Sequence, residues 1–439
     1  MPRSKKCSVP AASESGPVSA EEAERFFWPS QLCDCLLLAV SGGSDSMALM
    51  WLAARWAQAT GWPGKLHVAV VDHGLRPESA AEAAFVVREA SKLSLKAHKL
   101  KWAGPHPKTG IPAAAREARY KLLFGLARQS RAILLTAHTR DDQAETLLMR
   151  LARGSGIDGL AAMEACSTRD GINLFRPLLG ISRERLRATL REAGMTWLDD
   201  PTNENTAHER VRVRKALDVL EGLGLTRESI ALSAHRLGRA RSALEVATGG
   251  LMQVAVRIEC NSFASVSLEG WKHGPAELQV RTVLALARMF GGRKDVSLSG
   301  AERVRDWMLS GQSRATTFAG CRFARRAKVV LVGREAGRVD DAPLEVSGKQ
   351  AARIDWDSRY EITIPVRLLP AKVLPAKACA GLQRPSDVPD FVWQGMPVVR
   401  TASGQFTPCD RPPAGAGNGD APAFRLIHAP MQEHRSAGT

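Results

Sequence analysis

Short apolar runs alternate with longer segments of helix-forming residues over the first third of the chain. The run 36–40 ends in small residues and precedes a stretch of good helix formers, which predicts a buried strand, a tight loop and a helix. The same alternation continues, with predicted strands at 66–72, 95–102 and 132–137 and predicted helices at 44–58, 78–94, 112–129 and 140–153. This order predicts an α/β fold with a parallel sheet covered on both faces.

The rest of the chain divides by pattern into further predicted regions. Residues 1–24 are rich in Ser, Ala, Pro and Glu, so we expect a flexible leader, and 25–225 form the first domain. Helical patterns at 226–258, 275–290 and 299–309 predict a mainly helical domain over 226–335, which ends in a strand pair near 315–333. Short extended runs predict a small β-rich domain with a flexible tail over 341–439.

The loop at 41–46, between the first strand and its helix, has the composition of a phosphate site. Its hydroxyl and glycine residues are Ser41, Ser44, Ser46, Gly42 and Gly43. Glycines let the backbone approach a ligand closely, and the following helix adds partial positive charge. No lysine closes the loop, and the spacing is not that of a dinucleotide fingerprint. Because the loop carries Asp45, we expect pyrophosphate held partly through a metal ion.

Further polar residues follow the other predicted strands, so they converge on the same sheet edge. His138, Asp142 and Glu145 are spaced i, i+4 and i+7, one stripe if the helix includes all three. An acidic helix start explains the carboxylates equally well when this segment is taken alone. The guanidinium groups of Arg116 and Arg119 lie one helical turn apart and suit an anion, although surface arginines often have this spacing.

Charge and cysteine content narrow the classes of partner. The chain has 61 Lys and Arg against 45 Asp and Glu, a net charge of +16, which favours a polyanionic partner. The eight cysteines include no CxxC pair, so reduced thiols and a cytoplasmic location are expected. No apolar run approaches 18 residues, so we expect no membrane segment.

The loop sequence SGGSDS at 41–46 is similar to the SGGxDS pyrophosphate loop of N-type ATP pyrophosphatases, or PP-loop enzymes. Within that superfamily, an ordered set of motifs resembles the tRNA(Ile)-lysidine synthases. The set is VDHGLR at 71–76, AREARY at 115–120, TAH at 136–138, DDQAET at 141–146, RGSGIDGL at 153–160, RPLL at 176–179 and DPTN at 200–203. One departure is His208, where that family usually has an aromatic residue. The resemblance implies a Rossmann-like, adenine nucleotide alpha hydrolase-like catalytic domain.

The same resemblance implies a two-step reaction. ATP adenylates the C2 oxygen of cytidine 34 in the isoleucine tRNA with a CAU anticodon, and the side-chain amine of L-lysine then displaces AMP. The products are lysidine, AMP and diphosphate, and the tRNA changes from reading AUG as methionine to reading AUA as isoleucine. ATP, Mg²⁺, L-lysine and this tRNA are therefore the expected ligands, and monomer and homodimer both remain open.

The resemblance also implies roles for individual residues. Expected catalytic residues are Asp45, Arg116, His138, Asp142 and Glu145. Expected ATP-binding residues are Ser41, Gly42, Gly43, Ser44, Asp45, Ser46, Asp72 and His73. Expected tRNA-binding residues are Arg119, Arg210, Arg212 and Arg214, and Mg²⁺ is expected at Asp45 and Asp142.

Two other functions stay open at this stage. A tRNA thiolase of the same superfamily would be expected to use paired cysteines near the cleft, but Cys33 and Cys35 precede the first strand. A nucleotide-binding RNA adaptor without catalysis would not need the acidic residues at 141–145.

Overall fold

The computed structural model describes residues 16–28, 33–75, 77–103, 109–199, 209–292, 296–409 and 421–427. The chain divides into two compact units, residues 1–241 and 242–439. Arg76 and the DPTN motif at 200–203 lie outside the described residues, as does His208.

The first unit is built on a six-stranded sheet with the order β3-β2-β1-β4-β6-β5. Its strands are β1 Cys35–Ala39, β2 Lys65–Asp72, β3 Lys96–Lys101, β4 Ile133–Thr136, β5 Cys166–Arg169 and β6 Ile172–Phe175. All neighbouring pairs are parallel except β5 and β6, which form an antiparallel hairpin at one edge. The predicted α/β fold with a parallel sheet is confirmed, and the hairpin is an addition that the periodicity did not predict.

Helices cover both faces of this sheet. The helices of the first unit are α1 Ala20–Phe27, α2 Ser44–Thr60, α3 Ser79–Lys92, α4 Ile111–Ser130, α5 Arg140–Leu151, α6 Ile157–Leu160, α7 Arg183–Glu192, α8 Glu209–Glu221 and the beginning of α9 Arg227–Ala255. On β1, Leu36 and Leu38 belong to the core that contains α2 and α3, whereas Leu37 and Ala39 belong to the core that contains α4. A strand buried on both faces reads as a continuous apolar run, which is why the sequence predicted it well.

Part of the predicted flexible leader, residues 1–24, is folded. Val18 is buried and its backbone N–H donates to Thr189 Oγ1 at 2.9 Å, and α1 buries Phe26 and Phe27. Ser19 and Glu22 form a capping box at the start of α1. Composition alone predicted a loose segment, but the folded domain begins by residue 18. Residues 1–15 lie outside the described part of the chain.

The second unit begins with a five-stranded antiparallel sheet and helices that pack on it. The strands, in the order β7-β8-β11-β10-β9, are β7 Val256–Glu259, β8 Phe263–Ser267, β9 Thr316–Phe318, β10 Cys321–Arg326 and β11 Val329–Arg334. The helices are α10 Leu268–Lys272, α11 Ala276–Gly291 and α12 Leu298–Ser310. The helices at 226–335 occur as predicted, but this segment contains five strands where one strand pair was expected.

Two smaller sheets complete the second unit. One has the order β12-β15-β16-β17, and the other has the order β13-β14-β18. Their elements are β12 Leu344–Val346, β13 Ala352–Trp356, β14 Tyr360–Ile364, β15 Ala371–Pro375, α13 Asp390–Trp393, β16 Pro397–Thr401, β17 Gly404–Phe406 and β18 Ala423–Leu426. Phe290, Tyr360 and Val373 belong to one core, so the segments 226–335 and 341–439 are packed together rather than separate. Within the predicted flexible tail, strand β18 pairs with β14.

Candidate active site

The loop at 41–46 joins the carboxyl end of β1 to α2 and is held in shape by its own hydroxyl groups. The backbone N–H of Ser41 donates to Ser46 Oγ at 3.1 Å, and Ser46 Oγ donates to the carbonyl of Gly43 at 2.9 Å. Gly42 has a φ of +96°, a conformation that L side chains rarely adopt. Ser44 then opens α2 and places Asp45 in its first turn. Bonds within the loop and the backbone angle of Gly42 therefore set the shape of the loop.

A later segment closes over this loop. The backbone N–H of Leu198 donates to the carbonyl of Gly42 at 2.9 Å. A Cβ atom added at Gly42 would lie 2.9 Å from Leu198 Cδ1, closer than real Cβ contacts come. The backbone angle therefore favours glycine at position 42, and an added Cβ would also displace the end of the Leu198 side chain. At Gly43, by contrast, φ is −71°, and an added Cβ atom would lie 3.9 Å from its nearest neighbour, the carbonyl oxygen of Leu198.

The acidic segment after β4 differs from its prediction in one respect. His138 precedes α5, whose N-cap is Thr139, so His138 does not share a helical stripe with Asp142 and Glu145. Asp142 Oδ2 accepts from the backbone N–H of Thr139 at 2.9 Å, which makes Asp142 part of a capping box. Asp142 is therefore a cap residue of the acidic helix start, and its other oxygen accepts from Arg183. Its catalytic role stays a prediction.

Arg183, the first residue of α7, binds three predicted catalytic carboxylates at once. Its Nε lies 2.9 Å from Asp45 Oδ2, its Nη2 3.0 Å from Asp142 Oδ1 and its Nη1 3.3 Å from Glu145 Oε1. Its backbone N–H also donates to Asp141 Oδ2 at 2.9 Å. One guanidinium thus connects the loop at 41–46 with α5, and the sequence analysis did not identify it.

Arg183 did leave a signal in the sequence. It follows Ser182, a good N-cap residue, so its positive charge lies at the positive end of the helix dipole. A cation in that position is unfavourable unless carboxylates surround it. Which carboxylates these are depends on contacts between distant parts of the chain, so the sequence alone could not name them.

The arginines of α8 divide between two environments. Arg214 Nε donates to Glu145 Oε1 at 2.9 Å, and Arg210 Nη1 lies 3.8 Å from Asp142 Oδ1. Arg212, between them, is exposed. Arg210 and Arg214 are therefore counter-ions of the acidic residues, and the tRNA-binding role expected of the three arginines stays a prediction.

Burial and ion pairing shift the pKa values of the site in different directions. Burial raises the pKa of Asp45 despite the opposing effect of Arg183. Burial also acts to raise the pKa of Asp142, but Arg183, the Thr139 backbone and other cations outweigh it and lower that pKa. Burial lowers the pKa of His138 to about 4, with Arg116 among the nearby cations that contribute. Asp142 is therefore ionised and His138 neutral near pH 7.

The remaining predicted residues lie around this centre. His138 Nδ1 and Thr136 Oγ1 are 2.9 Å apart, and the exposed Arg116 lies over the Tyr120 ring at 5.2 Å. Arg119 is exposed one turn along α4 from Arg116. In the described part of the chain, neither arginine forms an ion pair with Asp45, Asp142 or Glu145.

Asp72 and His73 follow β2 and stabilise their own turn. Asp72 Oδ1 accepts from Ser79 Oγ at 2.6 Å and from the backbone N–H of Gly74 at 3.2 Å, and these bonds lower the pKa of Asp72. His73 Nδ1 accepts from the backbone N–H of Leu75 at 3.2 Å. Their ATP-binding role stays a prediction.

The fold and loop define a class, an ATP-binding PP-loop domain, and the PP-loop domain family ATP_bind_3 matches residues 18–220. Curated relatives narrow the class. The tRNA(Ile)-lysidine synthase of Bradyrhizobium diazoefficiens is 42% identical over 359 residues, which cover 77% of this chain and 98% of that protein. The tRNA(Ile)-lysidine synthase of Bradyrhizobium sp. (strain BTAi1) is 47% identical, over 65% of this chain and 82% of that protein. The chain belongs to the tRNA(Ile)-lysidine synthase family.

Other proteins match at lower sequence identity. The tRNA(Ile)-lysidine synthase of Ruegeria pomeroyi is 37% identical, over 82% of this chain and 83% of that protein. Among solved structures, the U34-tRNA thiolase NcsA from Methanococcus maripaludis with its [4Fe-4S] cluster is 17% identical, with a TM-score of 0.42 over 49% of this chain and 78% of that one. Likeness at that level supports no functional argument. In the described part of the chain, no helix is long and apolar enough to cross a membrane.

Proposed function

We propose that this chain ligates L-lysine to C2 of cytidine 34 in the isoleucine tRNA with a CAU anticodon, using ATP and releasing AMP and diphosphate. The reaction converts codon reading from AUG to AUA and amino-acid identity from methionine to isoleucine. The observation that supports this proposal best is the direct connection, through Arg183, of the loop residue Asp45 to Asp142 and Glu145. A phosphate loop next to buried carboxylates suits a reaction in which an amine attacks a nucleotide-activated carbon.

In the first step, the loop at 41–46 would hold the phosphates of ATP through backbone N–H groups, hydroxyls and the N-terminus of α2. The C2 oxygen of cytidine forms a bond to the α-phosphorus, and the bond from that phosphorus to the bridging oxygen of diphosphate breaks. Arg116, which is exposed on α4, would stabilise the developing negative charge. His138 is neutral near pH 7 and would serve as a hydrogen-bonding group.

In the second step, the lysine side-chain nitrogen bonds to C2, and the bond from C2 to the adenylated oxygen breaks to release AMP. The amine must lose a proton before or during attack, since its ordinary pKa is about 10.4. Glu145 would accept this proton on Oε2, which is buried and has no hydrogen-bond partner among the described residues. Both oxygens of Asp142 already accept hydrogen bonds, from Arg183 and from Thr139.

Mg²⁺ fits the charges of this site. A cation, the guanidinium of Arg183, already lies between Asp45 and Asp142, and Mg²⁺ commonly takes one or two carboxylates together with substrate phosphates. Within the described ranges, no group of three or more His, Cys, Asp or Glu residues is arranged to hold a metal by itself. Asp45, with Asp142, would hold the ion, which when bound neutralises charge on the phosphates.

The reduced thiols agree with a cytoplasmic location, which we include in the proposal. Cys35 is buried at the start of β1, at the other end of that strand from the loop, and burial raises its pKa. This placement gives no support to the thiolase alternative.

The test is incubation of the full chain with ATP, labelled lysine and either the CAU isoleucine tRNA or the same tRNA carrying U34. We expect label in the first tRNA only, with one AMP released per lysine incorporated. Absence of label from both tRNAs would reject lysine ligation, and sulfur transfer or nucleotide-dependent RNA binding without turnover would then be measured on the same samples.

A further inference from the structure

Arg183 neutralises a set of carboxylates that a bound substrate would also have to reach. Asp45, Asp142 and Glu145 each accept from a different nitrogen of its guanidinium, at 2.9, 3.0 and 3.3 Å. The side chain of Glu145 is 1% exposed and that of Asp142 is 9% exposed. Buried carboxylates are costly without a cation, so some positive group has to occupy this centre at every stage.

A second observation shows that the centre can accept more N–H groups than it holds. Glu145 Oε1 accepts from both Arg183 and Arg214, but its Oε2 is buried with no partner among the described residues. A buried acceptor without a donor is unfavourable by about 1–3 kcal/mol in general. The unfilled oxygen therefore marks a position where a further N–H donor would be stabilised.

We propose that the guanidinium of Arg183 occupies, in the ligand-free protein, the position of the substrate's alkylammonium group, and that amine binding and release of Arg183 from Asp142 and Glu145 are a single exchange. The exchange rests on the proposed function in one respect, which is that the substrate's alkylammonium group is taken to be the side chain of lysine. It keeps the charge of the centre constant, because one cation enters as another leaves. A released guanidinium that remains next to Asp45 is then available to a phosphate on the adjoining loop.

The exchange and a purely positioning role for Arg183 predict opposite changes in cation affinity when Arg183 is removed. If Arg183 only orients the carboxylates, its removal weakens cation binding. If Arg183 competes for them, its removal strengthens cation binding. The probes are n-butylammonium, which carries only the amine, and L-lysine, each titrated by ligand-observed NMR into the full chain without ATP.

The variants are Arg183→Gln and a matched control, Arg187→Gln. Arg187 lies one turn further along α7 and its Nε is 3.5 Å from Ser44 Oγ, so the control removes the same charge near the loop without touching a carboxylate. We expect Arg183→Gln to bind n-butylammonium at least tenfold more tightly than the unmodified chain, and Arg187→Gln to bind it unchanged. Unchanged or weaker binding by Arg183→Gln overturns the exchange.

Arg183→Lys covers the case in which Arg183→Gln does not fold. A lysine ammonium retains the charge but cannot reach three carboxylates with a planar fork, so n-butylammonium should again bind more tightly than in the unmodified chain. Equal or weaker binding overturns the exchange here too. The n-butylammonium result decides the exchange even where no lysine is incorporated into tRNA, and that second outcome rejects only the proposed function.

Discussion

Asp142 performs two tasks with its two carboxylate oxygens. Oδ2 accepts from the backbone N–H of Thr139 and fixes the first turn of α5, while Oδ1 accepts from Arg183. The helix cap therefore sets the direction in which the other oxygen points. Asp142 therefore has the position of an ordinary acidic residue at a helix start, and its Oδ1 also contacts Arg183.

Asp142→Asn should separate these tasks. The amide oxygen can still accept from Thr139, so the fold should survive, but the loss of charge removes the partner of Arg183. We expect lysine incorporation to fall at least about 100-fold, with tRNA affinity changed less than about twofold, measured by incorporation of label and by filter binding. Asp218→Asn, an exposed acid on α8, is the control. Equal loss of activity and tRNA binding in Asp142→Asn would indicate a folding role instead.

His138 should make stability depend on pH. Its pKa is lowered to about 4 in the folded chain from an ordinary value near 6.5, so between these values the unfolded chain binds more protons and stability rises with pH. In His138→Gln, the rise of the unfolding free energy should be smaller by up to about 1.4 kcal/mol per pH unit. Urea unfolding of both proteins at several pH values between 4 and 6.5 measures this pH dependence of the unfolding free energy. Equal slopes with and without His138 would refute the assignment.

At the scale of elements, the turn from β1 to α2 depends on one glycine more than on its neighbour. Gly42 combines a φ of +96° with the close approach of Leu198, whereas Gly43 has an ordinary backbone conformation. The two residues are adjacent and identical, so they form a matched pair for substitution.

Gly42→Ala should destabilise the chain by at least about 1–2 kcal/mol, the usual cost of a left-handed L residue. It should also weaken ATP binding, because the loop amides shift. Gly43→Ala should change the unfolding free energy much less. Chemical unfolding and ATP titration of both variants test this, and equal destabilisation by the two would show that neither the φ angle nor Leu198 constrains position 42.

The sequence predicted secondary structure correctly where a strand is buried on both faces and the signals for the next helix lie close by in the chain. The run at 36–40 and its following helix were predictable because β1 is apolar throughout and α2 begins at the small-residue turn. The first helix, α1, was missed because its attachment depends on distant partners, as in the ion pair between Glu22 and Arg185 at 2.7 Å. Arg183 was missed for the same reason. Motif order identified the carboxylates, but only the folded chain shows what neutralises them.

At the scale of the whole molecule, the two units differ in what the sequence could say about them. The first contains every predicted site residue and the matched PP-loop domain. The second carries no comparable motif, and its three antiparallel sheets arise from short strands whose pairing is not local. The net charge of +16 belongs to the whole chain and favours an RNA partner without locating its contacts.

The account depends most on adenylation of the tRNA before lysine takes part. The decisive measurement uses the full chain, ATP labelled at the α-phosphate and the CAU isoleucine tRNA, first without lysine and then with unlabelled lysine added. We predict that label enters the tRNA in the absence of lysine and leaves it as AMP once lysine is added. Label that never enters the tRNA, or that joins lysine instead, would contradict the account.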